Sequence, residues 1–342
     1  MPYFPIKIVI LCQIYDDMDS IQIIQQPITK ELHAFAELFD KSMSHNEGLL
    51  GAVLKHIRER GGKRMRPMLT LLLAKNFGGV TDATLHAAVC LELLHTASLV
   101  HDDVVDESNK RRGQASVNAM FDNKVAVLVG DYILSTALQM GAQSGHNCIV
   151  KHLADLGKTL ADGEILQLTN DSNECLSDDK YYEIIEKKTA ILFEKCTLLA
   201  AETSGATPEQ VEAARQFGYN IGMIFQIRDD IFDYFDSKEI GKPTGNDMLE
   251  RKLTLPAIYA LRSTLHPYAM ALAVKVKEGT ATVEEIADLI EFTKQYGGVE
   301  YAENVMHEYY AKAKQFVDNM VSDKEIRCSL MAYLDFMIER KY

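Results

Sequence analysis

Two aspartate triplets in the chain share one spacing. Asp102, Asp103 and Asp106 lie in "LVHDDVVDES", and Asp229, Asp230 and Asp233 lie in "FQIRDDIFDYF". On a helix, the first and last member of each triplet sit one turn apart on a common face, with the middle aspartate to one side. Each triplet follows an apolar run: Leu85 to Val100, with Glu92 as its one other acid, and Ile221 to Ile227. Carboxylates at the C-terminal end of a buried helix meet the negative end of its dipole and repel one another. A cation relieves both effects. Magnesium suits hard carboxylate oxygens and keeps positions open for phosphate. Two plainer readings fit either triplet alone. The acids can mark where a helix emerges into water, or they can pair with Lys110, Arg111 and Arg112 as ordinary salt bridges. The repeat of the spacing on a second apolar helix favours the metal.

Three basic sets offer partners for phosphate. "GGKRMRP" holds Lys63, Arg64 and Arg66 between a glycine pair and Pro67, a residue suited to a first helical turn, where an anion is favoured. "KRRG" places Arg111 and Arg112 just after the first triplet, and "EKKTA" places Lys187, Lys188 and Thr189 in a mostly apolar stretch. Each set alone reads as a solvated charged face. Together with two acidic clusters they supply cations for the phosphate oxygens that a metal leaves exposed.

The elements that must position these groups read as helices. Only 8 prolines and 20 glycines interrupt 342 residues, and they fall between apolar-periodic segments. The pattern predicts helices over 28–43, 47–60, 65–77, 82–107, 124–145, 147–170, 178–204, 208–236, 254–264, 283–296 and a broken one over 299–340, with no strand. Thr207-Pro208-Glu209-Gln210 and Thr282 with Glu285 are capping signatures, and Gly78-Gly79 is a stop. Gly218 and Gly222, four apart, allow a neighbouring helix to come close. The expected fold is all-α, a single large helical bundle domain over 18–342. Residues 1–17 read as an extension, or as a mis-assigned start with Met18 as the alternative. The net charge of −13 argues against nucleic acid as a partner. The apolar run near the N-terminus is too short to span a bilayer, so no transmembrane segment is expected. Six cysteines without a CxxC pair fit reduced thiols and a cytoplasmic protein.

From Gly48 onward the chain resembles the trans-isoprenyl (polyprenyl) diphosphate synthases. "GGKRMRP", "LLHTASLVHDDVVDESNKRRG", "GDYILSTA", "KKTA", "FQIRDDIFDYF" and "GKPTGND…RKLTLP" occur in family order. The resemblance implies the isoprenoid synthase fold with a deep central cavity, usually a homodimer. It implies that Asp102, Asp106 and Asp229 bind magnesium on the allylic diphosphate, three ions per site. Asp103, Asp230 and Asp233 then act through water or around the ligands, with Asp230 and Asp233 also candidates for the metal. Lys63, Arg66, His95 and Arg112 match the pocket for isopentenyl diphosphate. Arg111, Lys188, Thr189, Gln226 and Lys242 match contacts to the allylic diphosphate. Lys252 matches a further lysine there, although the family often has glycine where Arg251 stands. Without the resemblance, His95 reads as a core histidine. The implied reaction is ionisation of the allylic C–O bond, attack by isopentenyl diphosphate, and proton loss.

Bulk before the first triplet limits chain growth in this family. The position five before Asp102 is Ala97, followed by Ser98, and neither would plug a tunnel. Leu94 and Leu91 lie deeper and can floor it. A product longer than geranylgeranyl diphosphate is expected, for a quinone tail, with peripheral membrane contact on its release. Three rivals remain. A terpene cyclase does not need the second basic pocket. A phosphohydrolase using "HDD" needs further histidines. A non-catalytic partner subunit needs neither acid set.

Overall fold

Helix ends in the computed structural model follow the punctuation of the sequence. It describes residues 19–45, 47–59, 61–111, 113–171, 176–235 and 244–339. Arg112, Lys242 and the 1–17 stretch lie outside these. The Thr207 amide donates to Gln210 Oε1 at 2.9 Å and the Gln210 amide returns to Thr207 Oγ1 at 3.3 Å, opening the helix Pro208–Phe232. Thr282 and Glu285 form the same reciprocal pair at the start of Val283–Gln295. Gly78 ends Met65–Phe77, and a Cβ there would lie 2.2 Å from the Ser204 carbonyl oxygen.

Four departures from the periodic pattern have local causes. The segment expected as one helix over 178–204 is Asp178–Ile185, a π turn Glu186–Ala190, and Ile191–Thr203. Such turns insert a residue and re-aim side chains, often at functional sites. The stretch between the helices expected over 254–264 and 283–296 holds an additional helix, Pro267–Glu278, with Pro267 at its first position. The first triplet's helix, Asp82–Val105, stops before 107, with Asp106 as its cap and Glu107 in the left-handed region. A two-residue hairpin then pairs Lys110–Arg111 with Gln114–Ala115, turning at Gly113 with φ +77. It corrects the expectation of no strand.

The chain divides into two compact units. The first takes in the described residues up to Ile149 with Leu199–Val211 and Phe316–Phe336. Its centre is Asp82–Val105, buried almost all round and packed mainly on Asn123–Gln143. Gly130 permits that approach, since a Cβ there would sit 2.3 Å from His101 Nε2. By length and composition both helices could cross a bilayer, but Asp82–Val105 is this unit's core helix and buries the polar side chain of Asp103.

The second unit takes in Val150–Leu198, Glu212–Gln315 and the described residues from Met337. Gly218 and Gly222 do bring a neighbouring segment close. Cβ atoms there would lie 2.1 Å from Thr197 Oγ1 and 2.4 Å from Ala190 Cα. Cys90, Cys148 and Cys196 are free thiols.

Candidate active site

In the first unit the three aspartates have different environments. Asp103 is 1% exposed, and its Oδ1 accepts from Arg111 Nε at 2.8 Å and Nη2 at 2.6 Å. The hairpin exists to bring that guanidinium back. Asn118 Nδ2 donates to the carbonyls of Asp103 and Ser108, both at 3.1 Å, and fixes the loop between helix and hairpin. Asp102 is half-buried and Asp106 is exposed, so both are within reach of an ion from solvent. The salt-bridge reading thus holds for Asp103 with Arg111.

A cavity of about 70 Å³ opens beside them, lined by Arg58, Arg64, Glu92, His95, Asp103 and Arg111. Arg66 Nη1 donates to His95 Nε2 at 2.9 Å, which puts the histidine proton on Nδ1. Lys63 Nζ lies 4.9 Å from the Phe336 ring centre. His95 and Arg66 are therefore in contact, but of the described residues matched to the isopentenyl diphosphate pocket only His95 is among those lining this cavity. His101 meets the Val127 carbonyl at 3.2 Å and Asp131 at 3.3 Å. Ala97 and Leu94 are both 2% exposed, whereas Ser98 is half-buried, its hydroxyl donating to the His95 carbonyl at 2.9 Å.

In the second unit a cavity of about 160 Å³ gathers Gln167, Lys188, Thr189, Gln226, Asp230, Asp247 and Lys252. Asp230, 3% exposed, is held at both oxygens. Tyr181 Oη donates to Oδ2 at 2.6 Å, and Gln226 Nε2 donates to Oδ1 at 2.8 Å. Thr189 Oγ1 donates to Gln226 Oε1 at 2.7 Å and orients the amide. The π turn places Thr189 for this, and Lys188 on the same turn pairs with Glu164 at 2.8 Å. Gly163 admits the turn, since its Cβ would meet Lys187 and Lys188 atoms at 2.9 Å. Asp233 is past the helix end. Its Oδ1 and Oδ2 accept the amides of Asn246 and Asp247 at 2.9 and 3.0 Å, which anchors the short helix Asn246–Leu249. Asp229 is exposed.

Burial pushes the Asp230 carboxyl up to about 7, against the pull of its two donors, and the charges of Asp229 and Asp233 add to the rise. Asp247 is raised by burial and by Asp230 and Asp233, with Lys252 opposing. Lys252 does not offset the burial and mutual repulsion of these carboxyls. Among the described residues no three His, Cys, Asp or Glu side chains close on a metal by themselves. The all-oxygen donor set nevertheless fits magnesium, which keeps several waters and takes phosphate oxygens as ligands.

Sequence reasoning missed Tyr181, Glu164, Gln167, Asp247 and Arg58. Tyr181 lies seven residues before Lys188, and Glu164 and Gln167 follow Gly163 at i+1 and i+4. Those spacings are the signals that could have found them. Arg251 has φ +66, in the region that favours glycine, which fits the glycine that the resemblance leads one to expect there.

The family model for polyprenyl synthetase matches residues 47–293. The octaprenyl diphosphate synthase of Haemophilus influenzae is 33% identical over 327 residues, 95% of this chain and 99% of that protein. Among solved structures, geranylgeranyl pyrophosphate synthase from Bacteroides thetaiotaomicron is 50% identical, covers 94% of this chain and 100% of its own, and superposes with a TM-score of 0.83. Polyprenyl synthase from Caulobacter crescentus, complexed with calcium and isoprenyl diphosphate, is 29% identical, with 95% and 100% coverage and a TM-score of 0.87. The motifs, the all-helical isoprenoid synthase fold and these likenesses agree: the chain belongs to the polyprenyl synthetase family and is a prenyltransferase.

Proposed function

We propose that this prenyltransferase extends an allylic prenyl diphosphate with isopentenyl diphosphate to a long all-trans product for a quinone tail. The observation that carries the site is the second-unit pocket, where Lys188, Lys252, Thr189 and Gln226 surround the buried Asp230. When bound, magnesium supplies positive charge to the allylic diphosphate. Asp102 and Asp106 in the first unit and Asp229 in the second would offer carboxylate oxygens to such ions, three in the proposed complex, and the calcium in the Caulobacter relative supports a divalent metal. Lys188, Lys252 and Lys242 steady the same diphosphate as the C–O bond lengthens and charge grows on the leaving oxygens. Arg66, His95, Lys63 and Arg112 hold isopentenyl diphosphate, whose double bond attacks the allylic carbon. The departing diphosphate takes the proton, so no separate base is needed.

The Asn123–Gln143 helix exposes Val127, Leu128, Tyr132 and Leu138, an apolar face suited to a second copy of the chain. A cytoplasmic homodimer with peripheral membrane contact at product release completes the reading.

The test supplies farnesyl diphosphate, isopentenyl diphosphate and magnesium and identifies products by mass. Prenyl diphosphates longer than geranylgeranyl support the reading. Cyclised hydrocarbon, phosphate release alone or no turnover would overturn it. The Bacteroides relative favours one alternative outcome, a product that stops at geranylgeranyl diphosphate. Ala97→Tyr is expected to shorten the product, and an unchanged length refutes the role given to that wall.

A further inference from the structure

We infer that Tyr181 is a positioning residue for the second aspartate cluster, acting through the Asp230 carboxylate. This rests on the proposal that the cluster serves a metal-bound diphosphate. Asp230 is the buried member of its triplet and points into the pocket with Lys188 and Lys252. Two neutral donors hold it, one on each oxygen. Gln226 comes from the same helix, one turn back, and is itself oriented by Thr189. Tyr181 comes from the separate helix Asp178–Ile185.

The two bonds divide the work. The Gln226 bond spans one turn of a single helix and can follow any shift of that helix. The Tyr181 bond ties the carboxylate to another element and sets its plane relative to the π turn carrying Lys188 and Thr189, which continues Tyr181's helix. Tyr181 is 6% exposed, and its ring packs edge-on against Tyr182 with centroids 5.4 Å apart, so the hydroxyl has a fixed origin. One carboxylate thereby registers the helix of Asp229 against the turn of Lys188. Each oxygen keeps lone-pair capacity for a water or an ion. Partners of this outer kind change metal affinity or activity by about 10–100-fold when removed.

The experiment is Tyr181→Phe in the full chain, which deletes the hydroxyl and keeps the ring. Mn²⁺ binding in the presence of inorganic pyrophosphate is followed by electron paramagnetic resonance, alongside steady-state kinetics and thermal unfolding. The expected result is Mn²⁺ binding weakened about 10-fold or more. KM for the allylic substrate should rise while KM for isopentenyl diphosphate stays within about twofold, and Tm should stay within a few degrees. In an Asp230→Asn background the same substitution should have little further effect on Mn²⁺ binding. Parent-like Mn²⁺ binding by Tyr181→Phe overturns the inference, as does an equal loss in the Asp230→Asn background. A parent protein that binds no Mn²⁺ with pyrophosphate overturns the metal reading beneath it as well.

Discussion

Asp230→Asn should stabilise the metal-free protein at alkaline pH while it disables the enzyme. The carboxyl is raised from its ordinary 3.8 to about 7, chiefly by burial. An acid raised on folding binds its proton more tightly in the native state than in the unfolded one. Its contribution is fully present below about pH 4, falls as pH rises towards 7, and is lost above. The rise corresponds to on the order of 4 kcal/mol across the whole window, of which roughly 3 falls between pH 5 and 8. Asparagine does not titrate, and its amide can take the Gln226 hydrogen bond on oxygen and donate to Tyr181 Oη. The assay is thermal unfolding of parent and variant without metal, from pH 5 to 8. Other carboxyls titrate in both proteins, so the readout is the difference between them. The gap in favour of the variant should widen by roughly 4 °C over that range. Magnesium with pyrophosphate should narrow it by neutralising the parent's cluster. A gap that does not change with pH, or a parent more stable than the variant at pH 8, refutes the placement of Asp230 in a desolvated acidic cluster.

Three further outcomes follow from contacts outside that carboxylate. Arg111→Met leaves Asp103 buried without its cation and should cost about 2–3 kcal/mol in chemical denaturation, the low side for a broken buried pair because the guanidinium side chain is 31% exposed; Asp103→Asn in that background should restore part of it. Gly130→Ala puts a methyl where the His101 ring sits and should cost roughly 1–3 kcal/mol, read by the same titration. Arg251→Gly should keep activity and change stability by less than about 1 kcal/mol, because relief at φ +66 offsets lost contacts. Gly279→Ala should destabilise the parent, where its Cβ would lie 2.4 Å from Arg251 Nε, more than it destabilises the Arg251→Gly variant.

The helices and their caps were legible because they depend on local chemistry. Thr207 with Gln210 and Thr282 with Glu285 work over one turn and need no tertiary partner. The pairing of His95 with Arg66 was legible only through resemblance, since a histidine on an apolar face carries no sign of its partner 29 residues away. The π turn at "EKKTA" was not legible. Its cause is packing, with Gly163 and Gly222 each pressed against the turn from other segments. Tyr181 was hidden for the same reason, because a buried tyrosine shows its hydrogen bond only when the acceptor is in place.

The i, i+1, i+4 spacing carried the reading furthest, and it reaches its limit where the helices end. A shared face is guaranteed only while the helix continues. Asp106 is the cap of its helix, and Asp233 lies one residue past Phe232. Asp233 then spends both oxygens on the amides of Asn246 and Asp247, and Asp103 and Asp230 turn inward to Arg111, Tyr181 and Gln226. Those three carboxylates hold the scaffold around the site. Of the six, Asp106 and Asp229 are exposed, Asp102 and Asp233 are half-buried, and Asp103 and Asp230 are buried. Acids that spacing presents as three equivalent members of a triplet thus differ in burial and in hydrogen-bond partners, and the exposed Asp106 and Asp229 are the most open to an ion arriving from solvent.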